Sequence, residues 1–252
     1  MLVHPTLDQL RQLRLNGMAD AYAQQLDLPK PDALSFDERL GLLVDRERSD
    51  RESRRLTSRL RRARLKHPAS MQDLDYSAAR GLDKNMVRAL ARGTYIQNHE
   101  NILIVGATGT GKTFLACALA HTACLEGHTA HYERLSRLLD AIQMSRADGT
   151  YPKLMAKLAK IDVLLLDDWG LAPVPPSGRN DLLELLDDRQ GSGSTIVTSQ
   201  LPVAEWHACV GDATLADAIL DRLIHNAHRI TLKGESLRKK QGLNREQSHP
   251  ST

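Results

Sequence analysis

The sequence predicts an α/β protein in which a five-stranded parallel sheet is flanked by helices and preceded by a small helical N-terminal domain. Three observations lead there. Residues 106–113 read Gly-Ala-Thr-Gly-Thr-Gly-Lys-Thr, a complete G-x-x-x-x-G-K-[ST] loop, set between the apolar run Asn101–Val105 and the apolar helical stretch Phe114–Ala120. Downstream, short apolar runs alternate with helix-length segments, the pattern of a parallel sheet covered on both faces. Upstream, leucines recur at helical spacing and a densely basic stretch follows, with no strand-like run.

In chain order, Leu7, Leu10, Leu13 and Leu15, then Met18, Ala21, Tyr22 and Leu26, are spaced for short amphipathic helices broken around Gly17 and Pro29–Pro31. Ser35-Phe-Asp-Glu38 is a capping box and predicts a helix running to about Leu65, ended by His67-Pro68. Tyr76–Asn98 reads as a connector and helix, with Asp83 as its N-cap. Strands are expected at Ile102–Val105, Thr129–Tyr132, Asp162–Asp167, Thr195–Thr198 and His228–Leu232, and helices near 112–126, 134–145, 178–189 and 213–226. The polar tail from Arg238 is expected to be disordered. These elements divide the chain into a helical N-terminal domain (1–68), a connector and helix (69–98), a nucleotide domain (99–237) and the tail (238–252).

With 252 residues, 41% apolar and 26% charged, the chain has the composition of a soluble globular protein, and a net charge of +3 makes it only mildly basic. Cys117, Cys124 and Cys209 lack metal-ligand spacing; the first two are expected to fill the core, and the sparse count suits a reducing compartment. Ten histidines are scattered without a metal pattern. No apolar run approaches the ~20 residues of a membrane span, and there is no secretory signal, so a cytoplasmic protein without a membrane partner is expected.

The loop carries the chemistry. Glycines allow successive N–H groups to converge on a triphosphate, and the following helix N-terminus adds partial positive charge. Gly106, Ala107, Thr108, Gly109, Thr110, Gly111, Lys112, Thr113 and Phe114 are therefore assigned to the nucleotide, with Lys112 on the outer phosphates and the Thr113 hydroxyl on Mg²⁺. The apolar run Val163–Leu166 stops at Asp167-Asp168, at the strand edge where such sheets bind ligands. Asp167 suits the cation, directly or through water, and Asp168 suits orienting the attacking water. After the next strand, Gln200, with Ser199 as its rival, is placed to hold that water. Arg222 and Arg238 are basic groups able to stabilise charge on a transferring phosphate, though an arginine on a surface helix more commonly serves an ion pair.

These residues together resemble the AAA+ ATPases. The phosphate loop, Asp167-Asp-Trp-Gly170, Thr198-Ser-Gln-Leu-Pro202 and Ala218-Ile-Leu-Asp-Arg-Leu223 carry that likeness. Within them the chain is similar to the IstB-like ATP-binding proteins of bacterial insertion sequences, relatives of replicative helicase loaders and initiators. The likeness takes in Leu13-Arg-Leu-Asn-Gly-Met-Ala19, Asn101–Lys112, Asp187-Asp-Arg189 and Gly234-Glu-Ser-Leu-Arg238, and the phosphate loop combined with the first and last of these is its more specific part. The resemblance implies ATP as nucleotide, ATP-dependent homo-oligomerisation on double-stranded DNA, and assistance to a transposase encoded alongside. It also implies that Arg222 is a trans-acting arginine finger, that Gln200 is the polar sensor, and that Arg238 is the second sensor arginine. Asp168 stands where many AAA+ proteins carry Glu, and its shorter side chain is expected to slow hydrolysis.

Between Arg46 and Lys66 arginines dominate, opposed only by Glu47, Asp50 and Glu52. Arg51, Arg54, Arg55, Arg59 and Arg62 fall at three- and four-residue spacings on a helix, joined by Arg61, Arg64 and Lys66, and this stripe is assigned to the DNA backbone. A docking surface for an acidic protein and a solvated helix are the other readings. Scarce aromatics argue against base stacking, so weak sequence preference is expected. Leu171–Gly178 is proline-stiffened, either a rigid connector or a loop that reports nucleotide state. The function read from these features is a DNA-binding ATPase that assists transposition; a helicase loader of the same fold and a non-hydrolysing nucleotide-gated module are the alternatives.

Overall fold

The computed structural model describes residues 4–27, 34–76 and 81–237, so the expected break at Pro29–Pro31, residues 77–80 of the connector, and the tail with Arg238 lie outside the described residues. The chain divides into two compact units, Met1–Ser58 and Arg59–Thr252.

In the first unit, α1 (Pro5–Gln12) begins with a proline, which costs nothing in a first turn because its missing N–H would have no helical partner. α2 (Asn16–Leu26) follows, and α3 (Phe36–Ala63) starts where the capping box predicts. Ser35 N–H donates to Glu38 Oε2 at 2.8 Å, and Glu38 N–H donates to Ser35 Oγ at 3.3 Å. α3 ends as Arg64 turns left-handed at φ 52°.

The break between α1 and α2 falls at residues 13–15 rather than at Gly17, which is buried in the first turn of α2. Packing explains the difference. A Cβ on Gly17 would lie 2.7 Å from Glu47 Cα and 2.9 Å from the Arg46 carbonyl, so α2 and α3 meet backbone to backbone there. Leu15 offers α2 no capping side chain. Glu47, 6% exposed, supplies the carboxylate from α3, accepting from Gly17 N–H at 2.8 Å and Met18 N–H at 3.2 Å.

The second unit holds α4 (Lys84–Ala91), α5 (Thr94–Gln97) and the α/β layers. Asp83 caps α4 as expected, accepting from the N–H groups of Asn85 and Met86. Then come β1 (Asn101–Gly106), α6 (Lys112–Leu125), β2 (Ala130–Arg134), α7 (Leu135–Ala147), α8 (Tyr151–Ala159), β3 (Val163–Trp169) and α9 (Pro176–Arg189). β4 (Ser194–Ser199), α10 (Trp206–Val210), α11 (Ala213–Ile224) and β5 (Ala227–Leu232) complete the order. All five expected strands form one parallel sheet, in the order β2-β3-β4-β1-β5. Ile102, Leu103, Ile104 and Leu164–Leu166 are fully buried, as strands covered on both faces must be. Two helices escaped the sequence reading. α8 opens Tyr-Pro after an Asp-Gly turn, which reads locally as a break, and α10 has five residues, too few for a periodic signal.

One buried charge braces the amino edge of the sheet. Arg189 is 1% exposed, yet its guanidinium donates to the carbonyls of Leu158, Ile161 and Ser194 and to the Thr195 hydroxyl, so burial leaves it charged although its pKa is pushed down to about 10.

The two helical glycines of the N-terminal unit should respond oppositely to alanine. Gly17→Ala forces α2 from α3 and should destabilise that unit by about 1–3 kcal/mol. Gly41, in exposed mid-helix with nothing within 4 Å of its added Cβ, should gain up to about 1 kcal/mol on mutation to Ala. Denaturant melts followed by helical circular dichroism check both; equal effects at the two positions would contradict the close-packed crossing.

Candidate functional site

The sheet places the loop 106–111 at the carboxyl end of β1, with β4 on one side and β5 on the other. Gly109 takes φ 83°, and a side chain on it would collide with Ser236, so the segment after β5 lies directly against the loop. Leu237 N–H donates to the Gly109 carbonyl at 2.9 Å. The Lys112 ammonium donates to the Ala107 carbonyl at 2.9 Å, as does the Thr110 hydroxyl at 2.8 Å. Thr108 Oγ1 donates to Gln200 Oε1 at 2.7 Å, bringing that side chain to the loop. Ser199 is fully buried and turns away, donating to the Trp169 carbonyl at 2.7 Å and accepting from Leu201 N–H at 3.0 Å.

Asp167 lies at the centre. It is 0% exposed, and Oδ1 accepts from the hydroxyls of Thr113 at 2.8 Å and Thr198 at 2.5 Å. Oδ2 accepts from Tyr132 Oη at 2.7 Å and from Lys66 Nζ at 3.1 Å. Burial pushes the carboxyl up, but the three hydroxyls and the Lys66 ammonium outweigh it and hold the pKa below the ordinary aspartate value. Burial and the Asp167 carboxylate push the Tyr132 phenol upward, so it remains a donor. The donor set fits Mg²⁺: a hydroxyl and a carboxylate oxygen in contact, both hard, on the loop side of the strand.

Asp168 points elsewhere because the strand is irregular beneath it. The β3–β4 register shifts between Leu166 and Trp169, and Asp168 adopts φ 64°, a conformation Asp tolerates better than most residues. Its Oδ2 lies 3.4 Å from Arg134 Nε. Both line a cavity of about 690 Å³ with the loop, Thr113, Phe114 and Gln200, closed on another side by His67, Leu74, Leu82 and Leu237. That size and the mixture of cationic and apolar walls suit a nucleotide.

Arg222 is remote from this cavity. Its carbonyl accepts from Asn101 Nδ2 at 2.9 Å, at the start of β1, whereas the loop leaves the end of that strand. At about 3.3 Å per residue the two ends stand roughly 17 Å apart. Arg222 Nε donates to Asp187 Oδ1 at 2.6 Å.

The basic stripe is not uniform. Arg51 and Arg54 approach Glu47 Oε1 at 2.6 and 3.5 Å, and Arg59 Nε donates to the Cys124 carbonyl at 3.0 Å. Arg55 is exposed. Arg61, Arg62 and Arg64 are exposed and form no ion pair among the described residues. Lys66, grouped with the stripe by its sequence, lies instead in the nucleotide cavity, because α3 has ended and Arg64 reverses the backbone. Sequence reasoning missed Tyr132, Arg134 and Thr198 as site residues. The rule that found Asp167, that strand carboxyl ends face ligands, applies equally to β2 and β4.

The model of the IstB-like ATP binding protein family matches residues 8–245. A putative insertion sequence ATP-binding protein of Sinorhizobium fredii is 49% identical over 241 residues, covering 96% of this chain and 98% of the relative. Among solved structures, the crystal structure of DnaI has a TM-score of 0.57 at 19% identity, covering 66% of this chain and 92% of that one. The replication initiator DnaA bound to AMPPCP and single-stranded DNA has a TM-score of 0.56 at 16% identity, covering 73% and 56%. Both likenesses are of the AAA+ fold.

Removing the Thr198 hydroxyl tests the charge balance at Asp167. Thr198→Val deletes one donor and leaves the Asp168 N–H, which bonds Thr198 Oγ1 at 3.3 Å, without its acceptor. A loss of about 1–3 kcal/mol is expected. A depressed carboxylate stabilises the fold above its unfolded pKa, and that contribution disappears as pH falls from about 3.8 through the lower folded value. In Thr198→Val the folded value rises, so less of this contribution is present at neutral pH. Melting midpoints against pH check this; an acid limb parallel to wild type would count against it.

Proposed function

Since this chain belongs to the IstB-like ATP binding proteins of insertion sequences, we propose that it hydrolyses ATP in homo-oligomers on double-stranded DNA and thereby assists a transposase. The observation that carries the hydrolytic reading is Asp167, fully buried yet charged, bonded to the Thr113 hydroxyl beside the loop. Thr113 and Asp167 would hold Mg²⁺, which when bound neutralises charge on the outer phosphate oxygens. Lys112 and the loop N–H groups bind the triphosphate, and Gln200 and Asp168 hold the attacking water at its outer end. Water oxygen bonds to the γ-phosphorus as the bridging oxygen leaves with ADP, and the water proton passes towards Asp168. Arg134, with Nε 3.4 Å from Asp168 Oδ2, steadies that carboxylate.

Arg222 supports catalysis between subunits. Standing at the amino end of β1, about a strand's length from the loop of its own chain, it would act on the loop of a neighbour. ATP binding then favours assembly, and assembly favours turnover. A transposase as partner is supported by the relatives, which are named as insertion sequence proteins. DNA as partner is supported by the exposed arginines at and just after the end of α3. Unpaired guanidinium groups favour phosphate backbones and specify little sequence.

Three variants test this reading. Lys112→Ala should not bind ATP, and Arg222→Ala should bind it but lose roughly 10³–10⁵ in turnover, the range for fingers supplied in trans. Mixed on DNA, the two inactive variants should regain activity at interfaces joining an intact loop to an intact finger. Mixed oligomers that form yet stay inactive would remove the trans assignment. Asp168→Asn should bind ATP with near wild-type affinity and hydrolyse it far more slowly; unchanged turnover would place the catalytic acid elsewhere.

For DNA, replacing Arg61, Arg62 and Arg64 together with Ala should weaken binding equally across unrelated duplexes. The slope of log affinity against log salt should fall by up to ~3, about one per lost phosphate contact. An unaltered slope in fluorescence titrations would assign the stripe to protein docking or to solvent.

A further inference from the structure

The geometry points to Asp187 as the residue that positions Arg222 for a neighbouring subunit's phosphate site, an inference that rests on the trans role given to Arg222 above. Separate partners hold the arginine's backbone and its side chain. Its carbonyl and that of Leu223 accept from Asn101 Nδ2 at 2.9 and 3.2 Å, and Asn101 Oδ1 accepts from Thr195 N–H at 2.9 Å. The end of α11 is thereby tied to the first residues of β1 and β4. The guanidinium is fixed by Asp187, whose Oδ1 accepts from Nε at 2.6 Å, while Nη1 donates to the Ala218 carbonyl at 3.2 Å. Nη2 makes no hydrogen bond among the described residues. The side chains of Arg222 and Asp187 are 29% and 47% exposed, so the pair is accessible to a second copy of the chain.

Asp187 can hold a direction because its own backbone is braced. It lies two residues before Arg189, whose buried guanidinium ties the end of α9 to the carbonyls of Leu158, Ile161 and Ser194. The Asp187-Asp-Arg189 segment thus has a division of labour: Arg189 anchors the helix end to the sheet, and Asp187 extends that anchor to Arg222. An exposed ion pair adds little to stability, so its value here is geometric. A free arginine samples many rotamers, whereas bonding Nε orients the planar fork and leaves Nη2 to meet an incoming phosphate. Charge that is already aimed needs no reorganisation when the transition state forms.

The mixed-subunit assay separates this role from a structural one. Starting from Lys112→Ala mixed with Arg222→Ala on DNA, Asp187→Asn is added to one partner at a time. On the Lys112→Ala subunit, which supplies the finger, it should cut turnover on the order of tenfold to a hundredfold. On the Arg222→Ala subunit, which supplies only the loop, it should change nothing, and in that single chain it should leave ATP affinity and melting midpoint intact. Asp187→Ser, made in parallel, should show the same asymmetry. Equal losses in both arms would reveal a structural role and overturn the inference. So would an increase in the first arm, which would make Asp187 a restraint on the finger. If the starting mixture is itself inactive although mixed oligomers form, the trans role of Arg222 fails first and Asp187 has no finger to position.

Discussion

Much of this molecule depends on keeping one carboxylate charged where water does not reach. Asp167 ends the apolar core of β3 with no exposed surface, and an unpaired buried carboxylate would take up a proton and lose its use. Thr113, Tyr132, Thr198 and Lys66 prevent this, arriving respectively from α6, β2, β4 and the segment after α3. Donors from separate elements converge there because parallel strands all release their chains at one edge. The carboxylate therefore registers whether the phosphate loop, two neighbouring strands and the post-helical segment are in place together.

Lys66 gives this centre an additional feature. An ammonium 3.1 Å from Asp167 supplies positive charge beside that buried carboxylate. Arg134 stands in the same relation to Asp168. Each acidic residue thus has a basic partner that lines the cavity. The two carboxylates differ in freedom, however. Asp167 is locked by four donors, whereas Asp168 follows a register shift, has a left-handed backbone and makes one long side-chain contact.

At the opposite edge of the sheet the chain is built differently. Arg189, at the end of α9, and Asn101, at the start of β1, satisfy backbone groups at the start of β4 and at the ends of α8 and α11. They brace the surface from which Arg222 projects. The cavity thus lies at one edge of the sheet and Arg222 at the other.

Local pattern determined a good deal. The loop motif, the apolar runs and the capping residues Ser35 and Asp83 located all five strands and most helices, because glycine punctuation, burial on both faces and side-chain capping act over a few residues. Asp167 was legible for the same reason, as a carboxylate ending an apolar strand. Even the remoteness of Arg222 from its own loop follows from topology, since the end of a helix leading into a parallel strand lies at the amino edge. Tertiary structure alone decided what required a distant partner. Gly17 reads as a helix break but is a contact point, because only the crossing of α3 shows why a side chain is excluded. Lys66 reads as one more cation of a basic stripe, yet one left-handed residue turns it towards Asp167, 101 positions away. The partners of Asp167, the brace at Arg189 and the hold of Asp187 on Arg222 are likewise contacts across the fold. Pattern specifies which residues are buried and which faces they share; only the assembled sheet brings side chains from separate strands within hydrogen-bonding distance.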